Sequence, residues 1–393
     1  DAFARGVKGV LLGDQMGLGK TPQAIASINA LADVETVLVV CPKSALMVWQ
    51  RHAEQWLTGR WRIIRLQPGS RWPQPEAGRK LFVIVNFDIV ARYAGQVERL
   101  DLLVVDEAHF CKNPKAQRTR AIFGSIERGA AKQSGIATRY RLALTGTPIP
   151  NRPVELWPII SWLDPDRWPH GSFFRFAVRY CDANQSGYGG SWDFSGHSNL
   201  AELQDELRSR CMVRRLKSEV LTELPAKVRT VIELDAPPEL AEVLAAERSA
   251  FEQWEGTGST ADFSELSRIR HEVGVAKADA VIEHLRNVLD ERGKAICFGW
   301  HRDVLARIAD AFPGESVLVT GSTGTEDRER LAGKFQTDPS CRLFVGNMQA
   351  AGTAITPWSI PAFQNRWKLS ANQLGRRTTN GTPAFSSASS ACR

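Results

Sequence analysis

Hydrophobic positions along the chain cluster in short runs, separated by polar stretches with helical character. Early in the chain, runs of the length of buried strands cover residues 9–12, 36–43, 81–85, 102–105 and 140–144. The second of these closes with a turn at Pro42. Helices are predicted from Pro22 and from Ser44, which is a suitable N-cap. Strands that alternate with helices predict an α/β fold, with a parallel sheet covered by helices on both faces.

The same alternation returns further along the chain. Residues 294–300, 317–320 and 341–346 predict strands, and the helices between them run through Ala311 and from Glu326 to Phe335. Between the two α/β regions, residues 155–211 are rich in aromatic side chains and predict an insertion with a small core of its own. Stacking of these rings on nucleic-acid bases is the alternative.

Residues 237–290 predict helices with charged faces. Helical spacing assigns four residues to a core face: Leu266, Ile269, Val273 and Ala276. Three basic residues are assigned to a solvated face, with phosphate contact as the alternative: Arg268, Arg270 and Lys277.

A glycine-rich turn follows the first predicted strand and ends in Lys-Thr: Gly13-Asp14-Gln15-Met16-Gly17-Leu18-Gly19-Lys20-Thr21. Backbone N–H groups in such a turn, together with the positive end of the next helix, form a cradle for phosphate. Lys20 would reach the β and γ phosphates, and the Thr21 hydroxyl would bind Mg²⁺. Asp14 stands where the strict pattern has glycine, as in the helicase-type variant. An ordinary glycine turn before a helix is the plainer interpretation.

Two polar segments follow later strands. In Asp106-Glu107-Ala108-His109, a carboxylate at a strand end can hold Mg²⁺, and Glu107 can orient or deprotonate the attacking water. A solvated charged turn is the alternative. Thr145-Gly146-Thr147-Pro148 is either a plain turn or a relay that couples the γ-phosphate to a neighbouring domain. We therefore predict Lys20, Asp106 and Glu107 as catalytic residues and Thr21 and Asp106 as metal ligands.

The order GDQMGLGKT, VVCPKSALMVWQ, VVDEAH and LTGTPIPN resembles the first RecA-like lobe of superfamily-two helicases, specifically the Swi/Snf-type DNA translocases. Residues 212–227 resemble the RRxKxxVxxxLPxK signature of that family, which DEAH-type RNA helicases lack; an amphipathic basic helix is the plainer interpretation. Residues 349–356 resemble a motif of the second lobe. The set of features is most similar to the annealing-helicase (HARP-like) branch and its prokaryotic or phage relatives.

The resemblance implies two RecA-like parallel-sheet lobes with a helical insertion between them, the second lobe incomplete. The expected segments are a first ATP-binding lobe at 1–160, a helical protrusion with the RRxK…LPxK segment at 161–235, a helical linker or second protrusion at 236–290, a partial second lobe at 291–356 and an aberrant, disordered tail at 357–393. The family pattern stops after Thr356, before the helix whose arginines lie over the γ-phosphate. We therefore expect a fragment cut at both ends, with little or no turnover.

The resemblance also implies the partners of each motif. ATP and Mg²⁺ are the expected cofactors, bound by the loop from Asp14 to Thr21. The expected coupling residues are His109, Thr145, Gly146 and Thr147. The expected contacts to double-stranded or forked DNA are Lys43, Asn86, Arg214, Arg215, Lys217, Thr320, Gly321, Ser322, Gly352 and Thr353. The predicted activity is ATP-dependent translocation on double-stranded DNA, for remodelling or annealing; a nucleotide- and DNA-binding module without catalysis and an RNA helicase are the alternatives.

Composition narrows the function classes further. The seven cysteines are dispersed, which argues against a disulfide framework and a zinc site. No apolar run approaches the ~20 residues of a membrane span. The formal net charge is +7, but five basic residues and no acidic ones lie after Thr356, so any DNA surface elsewhere must be a local patch. We expect a nucleoid-associated cytoplasmic location in a prokaryote or phage and a nuclear one in a eukaryote.

Overall fold

The computed structural model describes residues 2–97, 100–125, 134–149, 152–185, 192–223, 231, 238–257, 260–348 and 369–370. The chain forms two compact units, Asp1–Leu224 and Pro225–Arg393. The first unit contains the residues predicted as the first lobe together with most of those predicted as the helical protrusion. The predicted boundaries within each unit stay predictions, and most of the predicted tail lies outside the described residues.

A parallel sheet forms the centre of the first unit. Its strands are β1 (Gly9–Leu12), β2 (Thr36–Cys41), β3 (Trp61–Arg65), β4 (Lys80–Asn86), β5 (Leu102–Asp106), β6 (Tyr140–Leu144) and, at its edge, β9 (Met212–Val213). Two short strands, β7 (Asn184–Gln185) and β8 (Trp192–Asp193), pair with each other outside this sheet. The strand order is β3-β4-β2-β5-β6-β1-β9. The predicted α/β fold with a parallel sheet is confirmed.

Helices cover both faces of this sheet. They are α1 (Lys20–Ala30), α2 (Leu46–Trp56), α3 (Gln117–Phe123), α4 (Trp157–Leu163), α5 (Phe173–Tyr180) and α6 (Leu200–Arg210). The short α7 (Lys217–Val220) follows β9 and has no buried residue. Successive strand residues point to opposite faces, so Val10 and Leu12 pack with α1 and α2, while Leu11 packs with α3 to α6. Burial on both faces explains why these strands are continuous apolar runs in the sequence.

The aromatic residues after β6 belong to the same core as the sheet. Trp157, Trp162, Trp168 and Phe176 are buried with Leu11 in one cluster. The prediction that these rings pack in a core rather than stack on bases is confirmed for them, but the prediction of a separate small core is wrong. The rings extend the apolar layer on one face of the sheet, because α4 lies directly against it and α5 packs on Trp157 of α4.

The second unit is a smaller α/β layer. Its helices are α8 (Pro238–Thr257), α9 (Thr260–Ala276), α10 (Ala278–Arg292), α11 (Arg302–Asp310) and α12 (Thr325–Thr337), and its strands are β10 (Ala295–Gly299), β11 (Ser316–Val319), β12 (Leu343–Asn347) and β13 (Leu369–Ser370). The strands are parallel, in the order β11-β12-β10-β13. The strands and helices predicted between residues 294 and 346 are therefore present, with ends that shift by one or two residues.

The structure corrects several local predictions. Helix α1 begins at Lys20 rather than Pro22, and Ser44 lies in a 3₁₀ turn and does not cap α2. Ala276 is exposed and Lys277 is buried, the reverse of their predicted positions, and both lie at the junction of α9 and α10. Strands β3 and β9 were not predicted, since one is a half-buried edge strand and the other has two residues.

The described cysteines are free and buried, and no cluster of metal-ligating side chains occurs among the described residues. Within the same residues, no helix combines the length and apolar character needed to cross a membrane.

Asp101 joins the amino ends of β2 and β5, so its substitution tests how much this link stabilises the sheet. Its buried carboxylate accepts the backbone N–H groups of Glu35 and Thr36, both at 2.9 Å. We expect Asp101→Ala to lower the free energy of unfolding by about 2–3 kcal/mol, because two N–H groups lose their acceptor. Urea unfolding measures this, with Glu76→Ala as the control because Glu76 forms only exposed ion pairs. Equal losses in both variants would contradict this role.

Candidate functional site

Three loops meet at the carboxyl ends of adjacent strands in the first unit. Strand β6 pairs with β1 on one side and with β5 on the other, so the segments that leave these three strands are neighbours. They are the glycine-rich loop after Leu12, the acidic segment that begins at Asp106 and the Thr145–Pro148 turn. Open parallel sheets bind ligands at this edge, which makes it the candidate site.

The glycine-rich loop spans residues 13–19 and leads directly into α1. Gly17 and Gly19 have φ angles of 94° and 73°, in the left-handed region that favours glycine. Gly19 precedes the first turn of α1, which no side chain caps. The first N–H groups of α1 and its positive end are therefore available to an anion.

Lys20 is bonded to the glycine-rich loop, and the charges of three carboxylates act on its ammonium group. Its Nζ atom donates to the backbone oxygen of Asp14 at 3.1 Å. Burial lowers the pKa of Lys20, and the negative charges of Glu107, Asp106 and Asp14 oppose that effect. The ammonium group is thus held at the loop by charge as well as by a hydrogen bond.

Asp106 is the last residue of β5, and both of its carboxylate oxygens accept a hydrogen bond. The Trp49 indole donates to Oδ2 at 2.8 Å, and the Glu107 backbone N–H donates to Oδ1 at 2.9 Å. Burial raises the pKa of Asp106 to about 6, and the Glu107 charge adds to the increase. Each oxygen keeps a further lone pair, and two adjacent carboxylates are oxygen donors of the kind that Mg²⁺ prefers, so the residues present fit this ion.

His109 connects the acidic segment to the Thr145–Pro148 turn. Its Nδ1 atom is 3.2 Å from Glu107 Oε2 and 3.2 Å from Thr145 Oγ1. The backbone N–H of Thr147 also donates to Thr145 Oγ1, at 3.2 Å. The structure thus brings His109 into contact with Glu107, and it connects Thr145 and Thr147 to Glu107 through His109.

Gly146 allows this turn to approach the glycine-rich loop. A Cβ atom at Gly146 would lie 2.4 Å from Met16 Cγ and 3.5 Å from Lys20 Nζ. Any side chain here would therefore displace the Met16 side chain.

The predicted DNA contacts of the first unit have diverse surroundings. Lys43 is exposed just after β2. Asn86 is buried, and its Oδ1 atom accepts the N–H groups of Asp88 and Ile89, so this side chain closes the turn after β4.

Arg214 and Arg215 are bonded to the glycine-rich loop. Arg214 Nη1 donates to the Gly13 oxygen at 2.6 Å, and the Arg215 guanidinium forms an ion pair with Asp14. The backbone N–H of Lys217 donates to Gln15 Oε1 at 2.8 Å. Their predicted role on DNA stays a prediction, but the contacts described join them to the loop.

In the second unit, Thr320, Gly321 and Ser322 form the turn after β11. Thr320 Oγ1 and Ser322 Oγ are 2.8 Å apart, and Arg328 donates to the backbone oxygens of this turn. The predicted contacts Gly352 and Thr353 lie outside the described residues.

Trp49 and Gln23 contact the site but were not predicted as site residues. Trp49 lies on the buried face of α2, and its position in a helical pattern indicates only core packing. Gln23 bonds Asp14 Oδ2 at 3.1 Å and the Leu18 oxygen at 2.7 Å, so it braces the loop from within α1. A buried indole and an amide near the loop carry no motif by which a single sequence would single them out.

Comparison with known proteins agrees with the motif order. A family model described as the SNF2-related domain matches residues 3–269. The chain is 33% identical over 355 residues to the "SWI/SNF-related matrix-associated actin-dependent regulator of chromatin subfamily A-like protein 1" of Xenopus tropicalis, covering 88% of this chain and 36% of the relative. It is 30% identical over 381 residues to the "DNA annealing helicase and endonuclease ZRANB3" of Mus musculus, covering 88% of this chain and 33% of the relative.

The chain therefore spans about a third of the length of these relatives. Among solved structures, it is similar to the "Sulfolobus solfataricus SWI2/SNF2 ATPase core in complex with dsDNA", with a TM-score of 0.45 and 21% identity over 88% of this chain and 75% of that one. The resemblance inferred from the motifs is confirmed by the family match. Because the matching family model covers more than half of its residues, the chain belongs to the SNF2-related family.

Proposed function

We propose that this chain contains the ATP-hydrolysing core of a double-stranded-DNA translocase that remodels or anneals DNA. The observation that carries the proposal is the meeting of Lys20, Asp106 and Glu107 at the ends of neighbouring strands, beside a glycine-rich loop with an uncapped helix behind it. This arrangement combines an anion cradle with a pair of carboxylates, the two halves of phosphoryl-transfer chemistry.

Each residue has a distinct part in the proposed reaction. The loop N–H groups and Lys20 bind the phosphates of ATP and oppose the charge that develops on them. Thr21 and Asp106 would hold Mg²⁺, which supplies positive charge to the β and γ phosphate oxygens. Glu107 orients the attacking water and accepts its proton.

His109 links Glu107 to the Thr145–Pro148 turn. Because His109 contacts both Glu107 and Thr145, a change at the γ-phosphate reaches the Thr145–Pro148 turn through two short contacts. In the proposed motor, these contacts relay the nucleotide state and drive steps along the DNA backbone.

DNA is the proposed track because a relative of this chain is described as a DNA annealing helicase. Exposed Lys43 and the hydroxyl-rich turn at Thr320 and Ser322 offer contacts to phosphate oxygens, which carry no sequence information. The expectation of little or no turnover concerned residues after Thr356, most of which lie outside the described residues.

Three nucleic acids separate the proposed translocase from its alternatives. We expect ATP hydrolysis to rise on addition of duplex DNA, and to rise less with single-stranded DNA or RNA. Duplex binding should weaken as salt increases, with a slope of about 0.9 per phosphate contact in a plot of log K against log salt. Nucleotide and duplex binding without any hydrolysis would support a non-catalytic module, and stimulation by RNA alone would support an RNA helicase.

Lys20→Ala tests the phosphate loop. We expect this variant to lose duplex-stimulated hydrolysis by about 100-fold or more, because the charge that opposes the developing phosphate charge is removed. Lys8→Ala is the control, since Lys8 is exposed and lies before β1. Unchanged hydrolysis by Lys20→Ala would show that the loop does not bind the reacting phosphates.

Glu107→Gln tests the interaction between the two carboxylates without nucleotide or divalent cation. The folded pKa of Asp106 is raised, from 3.8 to about 6, so the native state binds the extra proton between these values and the free energy of unfolding falls as pH rises through them. Because the second cause of the increase is removed, we expect Glu107→Gln to recover about 1 kcal/mol above pH 6 and nothing below pH 4. Urea unfolding across this pH range measures the difference, with Glu76→Gln as the control. Parallel curves for Glu107→Gln and wild type would contradict the predicted repulsion.

A further inference from the structure

The segment from Val213 to Arg215 forms backbone hydrogen bonds with the glycine-rich loop. Strand β9 pairs with β1 through Leu12 and Val213, and the same alignment continues past the ends of both strands. The Gly13 N–H donates to the Val213 oxygen at 2.7 Å, and the Gln15 N–H donates to the Arg215 oxygen at 3.1 Å. The loop backbone therefore extends the pairing of β1 with β9 beyond the ends of these strands.

Arg215 adds a side-chain clamp at the centre of this contact. Its backbone N–H donates to Asp14 Oδ1 at 2.9 Å, its Nε atom donates to Oδ1 at 3.2 Å, and its Nη2 atom donates to Oδ2 at 2.5 Å. The second residue that holds this carboxylate is Gln23, which also bonds Arg215. Two parallel bonds between guanidinium and carboxylate fix orientation as well as distance.

Asp14 is fully buried, so its negative charge needs a partner inside the protein. Burial alone would raise the pKa of Asp14, but the hydrogen bonds of Arg215 and Gln23 and the charge of Arg215 lower it below its usual value. Arg215 is thus the positive charge that keeps Asp14 ionised within the loop.

The backbone of Asp14 holds Lys20, the lysine that is proposed to bind phosphate. Lys20 donates to the Asp14 backbone oxygen, while Arg215 holds the Asp14 carboxylate. A shift of Arg215 would move Asp14 and with it the acceptor of Lys20. Arg214 reinforces the position through its bond to the oxygen of Gly13, the preceding residue.

We propose that Arg215 is a positioning residue that sets the phosphate-binding geometry of the loop through Asp14. It couples nucleotide affinity to the segment that leads from the first unit towards the second. This inference rests on the proposed function, because it takes the loop to bind nucleotide phosphates. It also replaces the predicted role of Arg215 as a contact to DNA.

The experiment measures nucleotide and DNA affinity separately. ADP and a non-hydrolysable ATP analogue are titrated by calorimetry without DNA, and a fluorescent duplex is titrated by anisotropy without nucleotide. The main variant is Arg215→Lys, which keeps the charge beside buried Asp14 but cannot form the two parallel bonds. The matched control is Arg210→Lys, because Arg210 pairs with Asp164 at 2.7 Å and has a similarly exposed side chain, but it precedes β9 whereas Arg215 follows it.

We expect Arg215→Lys to weaken nucleotide binding by about tenfold. Duplex affinity should stay within about twofold, and Arg210→Lys should leave both affinities at the wild-type value. Asp14→Asn and Arg215→Met, each alone, are expected to weaken nucleotide binding as well. In the double variant Asp14→Asn, Arg215→Met, the loss should be no larger than in the weaker-binding single variant, because both substitutions break one linkage.

The double variant also covers a failure of folding. It leaves no unpaired buried charge, so it should fold even if a single variant does not, and circular dichroism checks this. Its nucleotide affinity then decides the question alone.

Two results would overturn the proposal while leaving the proposed function intact. One is an unchanged nucleotide affinity in Arg215→Lys with weaker duplex binding and a shallower salt slope, which would make Arg215 a DNA contact. The other is full additivity of the Asp14 and Arg215 effects. A wild-type chain that binds neither nucleotide would overturn the proposed function, and this inference with it.

Discussion

Buried negative charge at one edge of the first sheet is the constraint on which the candidate site depends. Asp14 and Asp106 are both buried, but their environments shift their pKa values in opposite directions. Asp14 has a bidentate arginine partner, whereas Asp106 has a neutral indole, a backbone N–H and a second carboxylate next to it. The charge of Asp14 is therefore neutralised within the protein. The charge of Asp106 is not, so a bound cation can stabilise it.

The parts of this arrangement that follow from local sequence were predictable. A parallel strand covered on both faces must be a continuous apolar run, so β1, β2, β4, β5 and β6 are evident from the order of amino acids alone. The glycine-rich loop and the acidic segment are also local, because each places its chemistry within a few residues of a strand end. The sequence thus predicted that Lys20, Asp106 and Glu107 would share one edge of the sheet.

The parts that depend on distant residues were not predictable. Arg215 contacts Asp14 across 201 residues, and Trp49 contacts Asp106 across 57. A basic segment has the same appearance in the sequence whether its guanidinium groups meet DNA phosphates or a buried carboxylate. Lys277 is a similar case, since a lysine in a charged segment is expected in solvent, whereas the structure buries it at the junction of α9 and α10.

The pairing of β9 with β1 determines when, during synthesis, the glycine-rich loop gains its hydrogen-bond partners. The glycine-rich loop is synthesised before its clamp, which is contributed by residues about 200 positions later. At about 5–20 residues per second, the loop waits for roughly 10–40 s before Arg215 exists. During that interval the Asp14 carboxylate has no guanidinium partner, so the nascent sheet lacks its last strand and a finished nucleotide cradle. Completion of the cradle thus reports that the whole first unit has been synthesised.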